Sequence, residues 1–179
     1  MKNSQSVTTH SAAQSHLARV FAQYPLEVVG AEGVWLHGRD GRRVLDFYGG
    51  HAVAALGYGH PRWIEALERQ ARSVLFQTNA IPMEIRERAA ARLVSFSGLD
   101  LPDVFFVNSG AEANENALRI AFRLTGRRTA VALEQGWHGR TAAAGAVTYG
   151  AQAKWYGFPQ TPFDVRWVSR SDAQSAIAG

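Results

Sequence analysis

The stretch Val104-Phe105-Phe106-Val107-Asn108-Ser109-Gly110-Ala111-Glu112 decides the fold, because it predicts a buried strand that runs through a tight turn into a helix. Its four leading apolar residues suit a strand covered on both faces, and Ser109 with Glu112 has the spacing of a capping box. The first turn of such a helix has backbone N–H groups without internal partners and about half a positive charge. We therefore predict a phosphate site at Ser109, with Gly110 allowing close approach, although a capped helix also forms without a ligand.

Before this stretch the chain is predicted to be short and rich in β-structure. Leu17, Val20, Phe21 and Tyr24 fall at helical spacing, and Pro25 then ends a short helix near Tyr24. Two apolar runs, at 34–37 and 44–47, flank a Gly-Arg-Asp-Gly turn and predict an antiparallel β-hairpin. The glycine-rich stretch 49–61 does not match a dinucleotide-binding fingerprint, so we expect tight loop packing there.

After about His60, helices and strands are predicted to alternate. Helices are expected from Pro61, from about Met83 to Gly98, and from Ser109 to about Gly126. Strands are expected at 104–107, 129–133 and 165–168, with the first two parallel, and Ser171-Asp172 would cap a helix running to residue 179. This order predicts an α/β fold with a mainly parallel sheet and flanking helices, and the sheet still lacks covering elements.

Composition limits the classes of function. The chain has 179 residues and a net charge of +4, and its arginines are scattered, which favours a solvated surface over a nucleic-acid interface. It has no cysteine, which excludes disulfides, thiolate zinc sites and cysteine nucleophiles, and we predict no metal site. No signal-peptide core or membrane-spanning stretch is evident, so we expect a cytoplasmic protein.

A second polar constellation follows the strand at 129–133. The run Glu134-Gln135-Gly136-Trp137-His138-Gly139-Arg140-Thr141 should emerge at the same sheet edge as the Ser109 turn, where ligands of α/β sheets bind. An aromatic ring, an imidazole and a guanidinium suit a flat heteroaromatic cofactor and a carboxylate. Either Trp137 or Arg140 alone would more simply be a core residue or a surface charge.

The motifs Asn108-Ser109-Gly110-Ala111-Glu112-Ala113-Asn114-Glu115 and Trp137-His138-Gly139-Arg140-Thr141 resemble two hallmarks of class III pyridoxal-phosphate aminotransferases. The resemblance spans about residues 24 to 150. It implies the fold-type I architecture, with residues 1–60 contributing to the small domain and 61–179 forming the first, incomplete part of the large cofactor-binding domain. It also implies amino transfer from acetylornithine or a related ω-amino substrate to 2-oxoglutarate, by a homodimer when the protein is full length.

Carried over by position, the resemblance assigns pyridoxal 5'-phosphate contacts and a substrate contact. The phosphate would lie on Gly110 and Ala111 with Ser109 beside them, Trp137 would stack on the pyridine ring, and Arg140 would hold a substrate carboxylate. The sequence departs from the family pattern in having Trp137 in place of the usual Phe or Tyr. Ala54 likewise replaces a common Asn.

The resemblance places the Schiff-base lysine beyond residue 179, so we predict no catalytic residue within this chain. The only lysines are Lys2 in the N-terminal tail and Lys154 in a predicted loop. The sequence is therefore interpreted as the N-terminal portion of an aminotransferase, inactive by itself. The alternative is a truncated, non-catalytic chain that keeps only the phosphate-binding turn.

Overall fold

The computed structural model describes residues 16–18 and 20–172. The chain divides into two compact units, Met1–Ile81 and Pro82–Gly179, and each is described by itself. The division falls after Ile81, whereas the sequence predicted a boundary near His60. The assignment of the two parts to a small and a large domain stays a prediction.

The first unit is built on a three-stranded antiparallel sheet in the order β1-β2-β3. The strands are β1 (Val28–Glu32), β2 (Trp35–Gly38) and β3 (Arg43–Leu45). Strands β2 and β3 form the predicted hairpin, and its turn is stabilised by a 3.1 Å hydrogen bond from the Arg42 N–H to Asp40 Oδ1. Strand β1 was not predicted, since Gly30 interrupts its apolar pattern and the register shifts between Val28 and Gly30.

The prediction of a helix that ends near Tyr24 is wrong for the residues that the structure describes. Residues 16–18 and 20–27 contain no helix, and Leu17, Phe21 and Tyr24 are exposed. An amphipathic stripe of this length forms a stable helix only when its apolar face packs on a neighbour. Helical spacing alone was therefore insufficient here.

The glycine-rich stretch contains one turn of left-handed helix at Gly49–Ala52. Four consecutive residues have φ between 54° and 63°, among them the non-glycine residues His51 and Ala52. Left-handed backbone costs about 1–2 kcal/mol for a non-glycine residue, so other contacts must stabilise the turn. The carboxylate of Asp46 does so by accepting hydrogen bonds from the N–H groups of Tyr48 and Gly49.

The helices predicted from Pro61 and from about Met83 are confirmed. Helix α1 (Pro61–Ser73) begins with proline at its first helical position, and α2 (Glu84–Ser97) ends at Gly98 in the left-handed conformation. Helix α1 belongs to the first unit and α2 to the second. Neither helix contains a fully buried residue.

The core of the second unit forms around a pair of parallel strands. Helix α3 (Gly110–Thr125) precedes β4 (Thr129–Leu133), which pairs in parallel with β5 (Asp164–Val168). Small side chains dominate the buried positions of this unit, and larger apolar residues pack around them half-buried. The cluster comprises Ala130, Ala132 and Val147, packed against Leu118, Phe122, Phe163, Val165 and Trp167.

The strand predicted at 104–107 is wrong, and so is its pairing with 129–133. In the part of the chain that the structure describes, no strand pairs with 104–107, and the neighbour of β4 is β5. A strand exists only where a second backbone completes its hydrogen bonds. The apolar run therefore stays outside the sheet, with Phe105 66% exposed.

After β4 the chain forms a short helix that the sequence did not predict, α4 (Ala142–Ala146), followed by a 3-10 turn at Ala151–Ala153. Helix α4 consists of alanine and glycine and therefore has no polar face. Its residues Ala143, Ala144 and Gly145 are all buried. The helix predicted from Ser171 to residue 179 lies outside the described residues. No helix in the described ranges has the length and apolar character to span a bilayer.

Candidate functional site

The N-terminus of α3 has the predicted capped geometry. Ser109 is the N-cap, and its Oγ accepts a 3.1 Å hydrogen bond from the Glu112 N–H. The Glu112 side chain accepts in turn from the N–H of Asn108, at 2.6 Å, one residue earlier than in the usual capping box. The cap therefore fixes both the turn and the start of the helix.

The backbone at the start of α3 is accessible. Among the described residues no recorded hydrogen bond uses the N–H of Gly110 or of Ala111. A Cβ added at Gly110 would meet no atom within 4 Å, so the space above it is open. This part of the structure has the donors, the helix dipole and the room that an anion requires.

The loop between β4 and α4 carries the other two predicted site residues. Trp137 is 58% exposed and meets Tyr156 edge to face, with 5.5 Å between the ring centroids. The Arg140 guanidinium carbon lies 5.7 Å from the centroid of the Trp155 ring. His138 differs from these residues, because its Nε2 is buried without a recorded partner in the described structure and lies against Gly136.

Direct contacts join this loop to the first turns of α3. Gly139 has φ of +126°, and a Cβ added there would lie 2.5 Å from the Cβ of Ala111. Only glycine permits that approach. One turn further along α3, the Asn114 side chain donates a 2.8 Å hydrogen bond to the carbonyl of His138. The two sequence motifs are thus packed against each other in the folded chain.

A buried hydroxyl holds the same loop from the other side. Thr148 is 2% exposed, and its Oγ accepts hydrogen bonds from the N–H groups of His138 (3.0 Å) and Gly139 (3.2 Å). The same hydroxyl lies within donating distance of the carbonyls of Gly139 and Ala144. The backbone at His138 and Gly139 is therefore held by Asn114 of α3 and by Thr148.

Glu115 binds the C-terminal end of the loop. Its Oε2 accepts from Thr141 Oγ1 at 2.8 Å and from the N–H groups of Ala143 at 2.7 Å and Ala144 at 3.3 Å. Burial raises the pKa of this carboxyl, but hydrogen bonds from Thr141, Ala143 and Arg119 lower the pKa by more than burial raises it. The pKa therefore lies below its ordinary value. A negative charge is thus held at the N-terminus of α4.

Sequence reasoning missed Thr148, Asn114 and Glu115 as residues that build the site. Glu115 stood inside the quoted motif, but the donors to its Oε2 are 26 to 29 residues away in the chain. The missed signal was the Gly-Arg-Thr-Ala run, in which a threonine directly before an alanine-rich segment is a helix N-cap. That threonine, Thr141, makes no cap bond of its own and donates to Glu115 instead.

The remaining residue of interest, Ala54, lies in the first unit. Its N–H donates to Gly49 O and its carbonyl accepts from Gly57 N, so it helps to close the glycine-rich loop. In the described part of the chain, no group of three or more His, Asp or Glu residues is arranged to hold a metal ion.

Comparison with known proteins identifies the family. A sequence model of the family "Aminotransferase class-III" matches residues 17–177. The chain belongs to the class III aminotransferases. The acetylornithine aminotransferase of Streptomyces coelicolor is 44% identical over 153 residues, which are 86% of this chain and 37% of that protein. That of Mycobacterium bovis is 38% identical over 177 residues, which are 97% of this chain and 44% of the relative.

A solved structure agrees on the fold. The ornithine aminotransferase of Toxoplasma gondii matches with a TM-score of 0.78 over 91% of this chain and 39% of that one, at 23% identity. The architecture is therefore that of the N-terminal part of a fold-type I transaminase, as predicted. The chain spans roughly two fifths of the length of the curated relatives that it matches.

Proposed function

We propose that this protein takes part in pyridoxal-phosphate-dependent transamination, moving an amino group from acetylornithine or a related ω-amino substrate to 2-oxoglutarate. One observation carries the proposal. The turn at Ser109, whose backbone N–H groups are accessible to an anion, packs through Ala111 against Gly139 of the loop that carries Trp137 and Arg140. Family membership and relatives named acetylornithine aminotransferase support the choice of reaction and substrate class.

In this proposal each residue has a separate task. The backbone N–H groups of Gly110 and Ala111 bind the cofactor phosphate. The Ser109 hydroxyl, whose oxygen already accepts from the Glu112 N–H, donates a hydrogen bond to the same anion. The exposed ring of Trp137 covers one face of the cofactor and excludes water from it. Arg140 binds a substrate carboxylate through paired N–H donors and so orients the amine.

The residues present fit the cofactor. The open space above Gly110 and the unused N–H groups of the first turn of α3 match a phosphate, and the nearby indole matches a planar ring. When bound, pyridoxal phosphate supplies the electron sink that amino transfer requires. The homodimer and the cytoplasmic location predicted from the sequence stay predictions.

The phosphate role can be tested without disturbing the fold. Gly110→Asp in the full-length protein places a carboxylate where the phosphate would bind, while an acidic residue in the first turn is favourable for the helix. We expect the affinity for pyridoxal phosphate, measured by fluorescence titration, to fall at least 100-fold with an unchanged melting temperature. Ala117→Asp, which adds the same carboxylate at an exposed position two turns further along α3, is the matched control and should keep the affinity. Equal affinities for both variants would refute the phosphate site.

The substrate role has its own test. Replacing Arg140 by Ala removes a charge-assisted contact, so binding of carboxylate substrates should weaken by about 2–3 kcal/mol. Steady-state kinetics with acetylornithine would show this as a raised KM. Arg127→Ala, an exposed arginine of the same unit, is the control and should leave KM within twofold. Unchanged kinetics on losing Arg140 would contradict the assignment.

One observation supports the alternative, a non-catalytic chain that keeps only the phosphate-binding turn, and it concerns the lysines of the chain. Lys154 is exposed and follows the 3-10 turn, and Lys2 lies outside the described residues. We expect the 179-residue chain to show no turnover. After incubation with pyridoxal phosphate and reduction with borohydride, we also expect no lysine to carry the cofactor in stoichiometric amount. A label at Lys154 together with glutamate formation would make this chain an enzyme in its own right.

A further inference from the structure

The backbone around Arg140 is held by two independent anchors. Before Arg140, the Asn114 side chain donates to the His138 carbonyl, and Thr148 Oγ1 accepts from the N–H groups of His138 and Gly139. After Arg140, the bonds to Glu115 fix residues 141–144. Arg140 is the residue between the two anchors, so the direction of its side chain depends on both.

The second anchor ties Arg140 to the same helix that carries the Ser109 turn. Glu115 lies six residues after Ser109 on α3, about 9 Å along a rigid helix. Its carboxylate side chain is only 14% exposed, and one of its oxygens gathers the Thr141 hydroxyl and the first N–H groups of α4. Glu115 therefore ties the start of α4 directly to the helix that begins at the Ser109 turn.

A carboxylate is the group that this position requires. The donors are a hydroxyl and backbone N–H groups at a helix N-terminus, which together favour a negatively charged acceptor. Thr141 does not cap its own helix, so Glu115 supplies the missing cap from α3. The other carboxylate oxygen faces Arg119, which is 71% exposed, and an ion pair so exposed contributes little.

We propose that Glu115 is a positioning residue that sets the direction from which Arg140 meets the substrate carboxylate. This inference rests on the proposed function, because it acts through Arg140. The hydrogen bonds of Glu115 go to Thr141, Ala143, Ala144 and Arg119, none of which is assigned to the cofactor. Substrate affinity should consequently depend on Glu115 while cofactor affinity does not.

The test uses the full-length protein with Glu115→Gln, which keeps the size of the side chain and removes its charge. We expect KM for acetylornithine to rise about tenfold, with kcat and the affinity for pyridoxal phosphate changed less than twofold. Hydrogen exchange at the amides of Ala143 and Ala144 should accelerate about tenfold, because an uncharged acceptor binds them less strongly, and this reports the weakened anchor without relying on activity. Arg119→Ala is the matched control and should change none of these quantities.

A double-mutant cycle separates positioning from general stability. If Glu115 acts through Arg140, adding Glu115→Gln to Arg140→Ala should leave KM where Arg140→Ala alone puts it. A further tenfold rise in the double variant, a loss of cofactor affinity with Glu115→Gln, or equal effects of Glu115→Gln and Arg119→Ala would overturn the inference. If Arg140→Ala alone leaves KM unchanged, the proposed substrate role fails instead, and exchange at Ala143 still reports whether the anchor exists.

Discussion

Asp46 and Glu115 are both carboxylates that accept backbone N–H groups, one in each compact unit, but they reach over different distances along the chain. Asp46 accepts from Tyr48 and Gly49, two and three residues away, and from the hydroxyl of Tyr58 at 2.6 Å. The hydroxyl and N–H groups that donate to Glu115 Oε2 are 26 to 29 residues away. Asp46 therefore shapes a turn, whereas Glu115 joins two elements.

The surroundings of the two carboxylates differ as well. Every buried apolar side chain in the described part of the chain lies in the second unit, between Ala130 and Val168. In the first unit, hydrogen bonds hold the strands and the left-handed turn without a buried apolar cluster among the described residues. A bond lost in the second unit should consequently cost more than one lost in the first, since water cannot replace it.

The largest expected effect is at Thr148, in the buried part of the second unit. Thr148→Val removes the acceptor of the His138 and Gly139 N–H groups and should lower the free energy of unfolding by about 3 kcal/mol. Urea denaturation of the full-length protein measures this. Thr125→Val, at the exposed end of α3, is the control and should stay within about 0.5 kcal/mol. Similar losses for both variants would show that burial does not set the cost of a lost hydrogen bond in this unit.

Gly57 offers a backbone test of the first unit. It has φ of +73°, and an added Cβ would lie 2.5 Å from the carbonyl oxygen of Gly33, which pairs with Tyr58. We expect Gly57→Ala to cost about 2 kcal/mol, because the loop must separate from the strands. Gly59→Ala is the matched control, with φ of +71° and no atom within 4 Å, and should cost about 1 kcal/mol. Equal costs would mean that only backbone strain matters there.

A smaller and local effect is expected at Asp46. Asp46→Ala removes Oδ1, which accepts from both N–H groups, and Oδ2, which accepts from the Tyr58 hydroxyl, so the amides of Tyr48 and Gly49 should exchange with solvent faster. Hydrogen exchange elsewhere, including α1, should not change. Tyr58→Phe is the control that removes only the hydroxyl. Faster exchange throughout the first unit would show that Asp46 has more than a local role.

The smallest effect is a shared response to acid. The Tyr58 hydroxyl and then the Gly49 N–H lower the pKa of Asp46, and hydrogen bonds outweigh burial to lower the pKa of Glu115. Each carboxyl therefore contributes stability that is full above its ordinary pKa, near 4, and is lost as the pH falls through the lower folded-state value. Unfolding measured between pH 7 and pH 3 should show a flatter pH dependence for Asp46→Asn and for Glu115→Gln. Slopes like that of the unaltered protein would contradict both assignments.

Much of the site was predictable because its determinants lie close together in the chain. Ser109 and Glu112 predicted the start of α3, and Gly126 ends that helix in the left-handed conformation as expected. The hairpin of β2 and β3 followed from a two-sided apolar pattern around an Asp-Gly turn. Each of these features depends on residues a few positions apart, whose geometry a sequence pattern describes directly.

The errors came where a pattern needed a distant partner. Residues 104–107 have the composition of a buried strand, but β5 occupies the position beside β4. Leu17 and its apolar neighbours have helical spacing without a packed face. In both cases hydrophobic periodicity described what the segment was suited to do, and pairing or packing decided whether it did so.

The sequence by itself determined the capped turn at Ser109, the family, and the presence of Trp137 and Arg140 in one loop. These follow from local backbone preferences and from motifs that a few adjacent residues define. Only the tertiary structure decided that Gly139 packs on Ala111 and that Glu115 and Thr148 hold the loop. Those contacts join residues up to 29 positions apart, and their strength comes from burial and donor geometry, which exist only after the chain has folded.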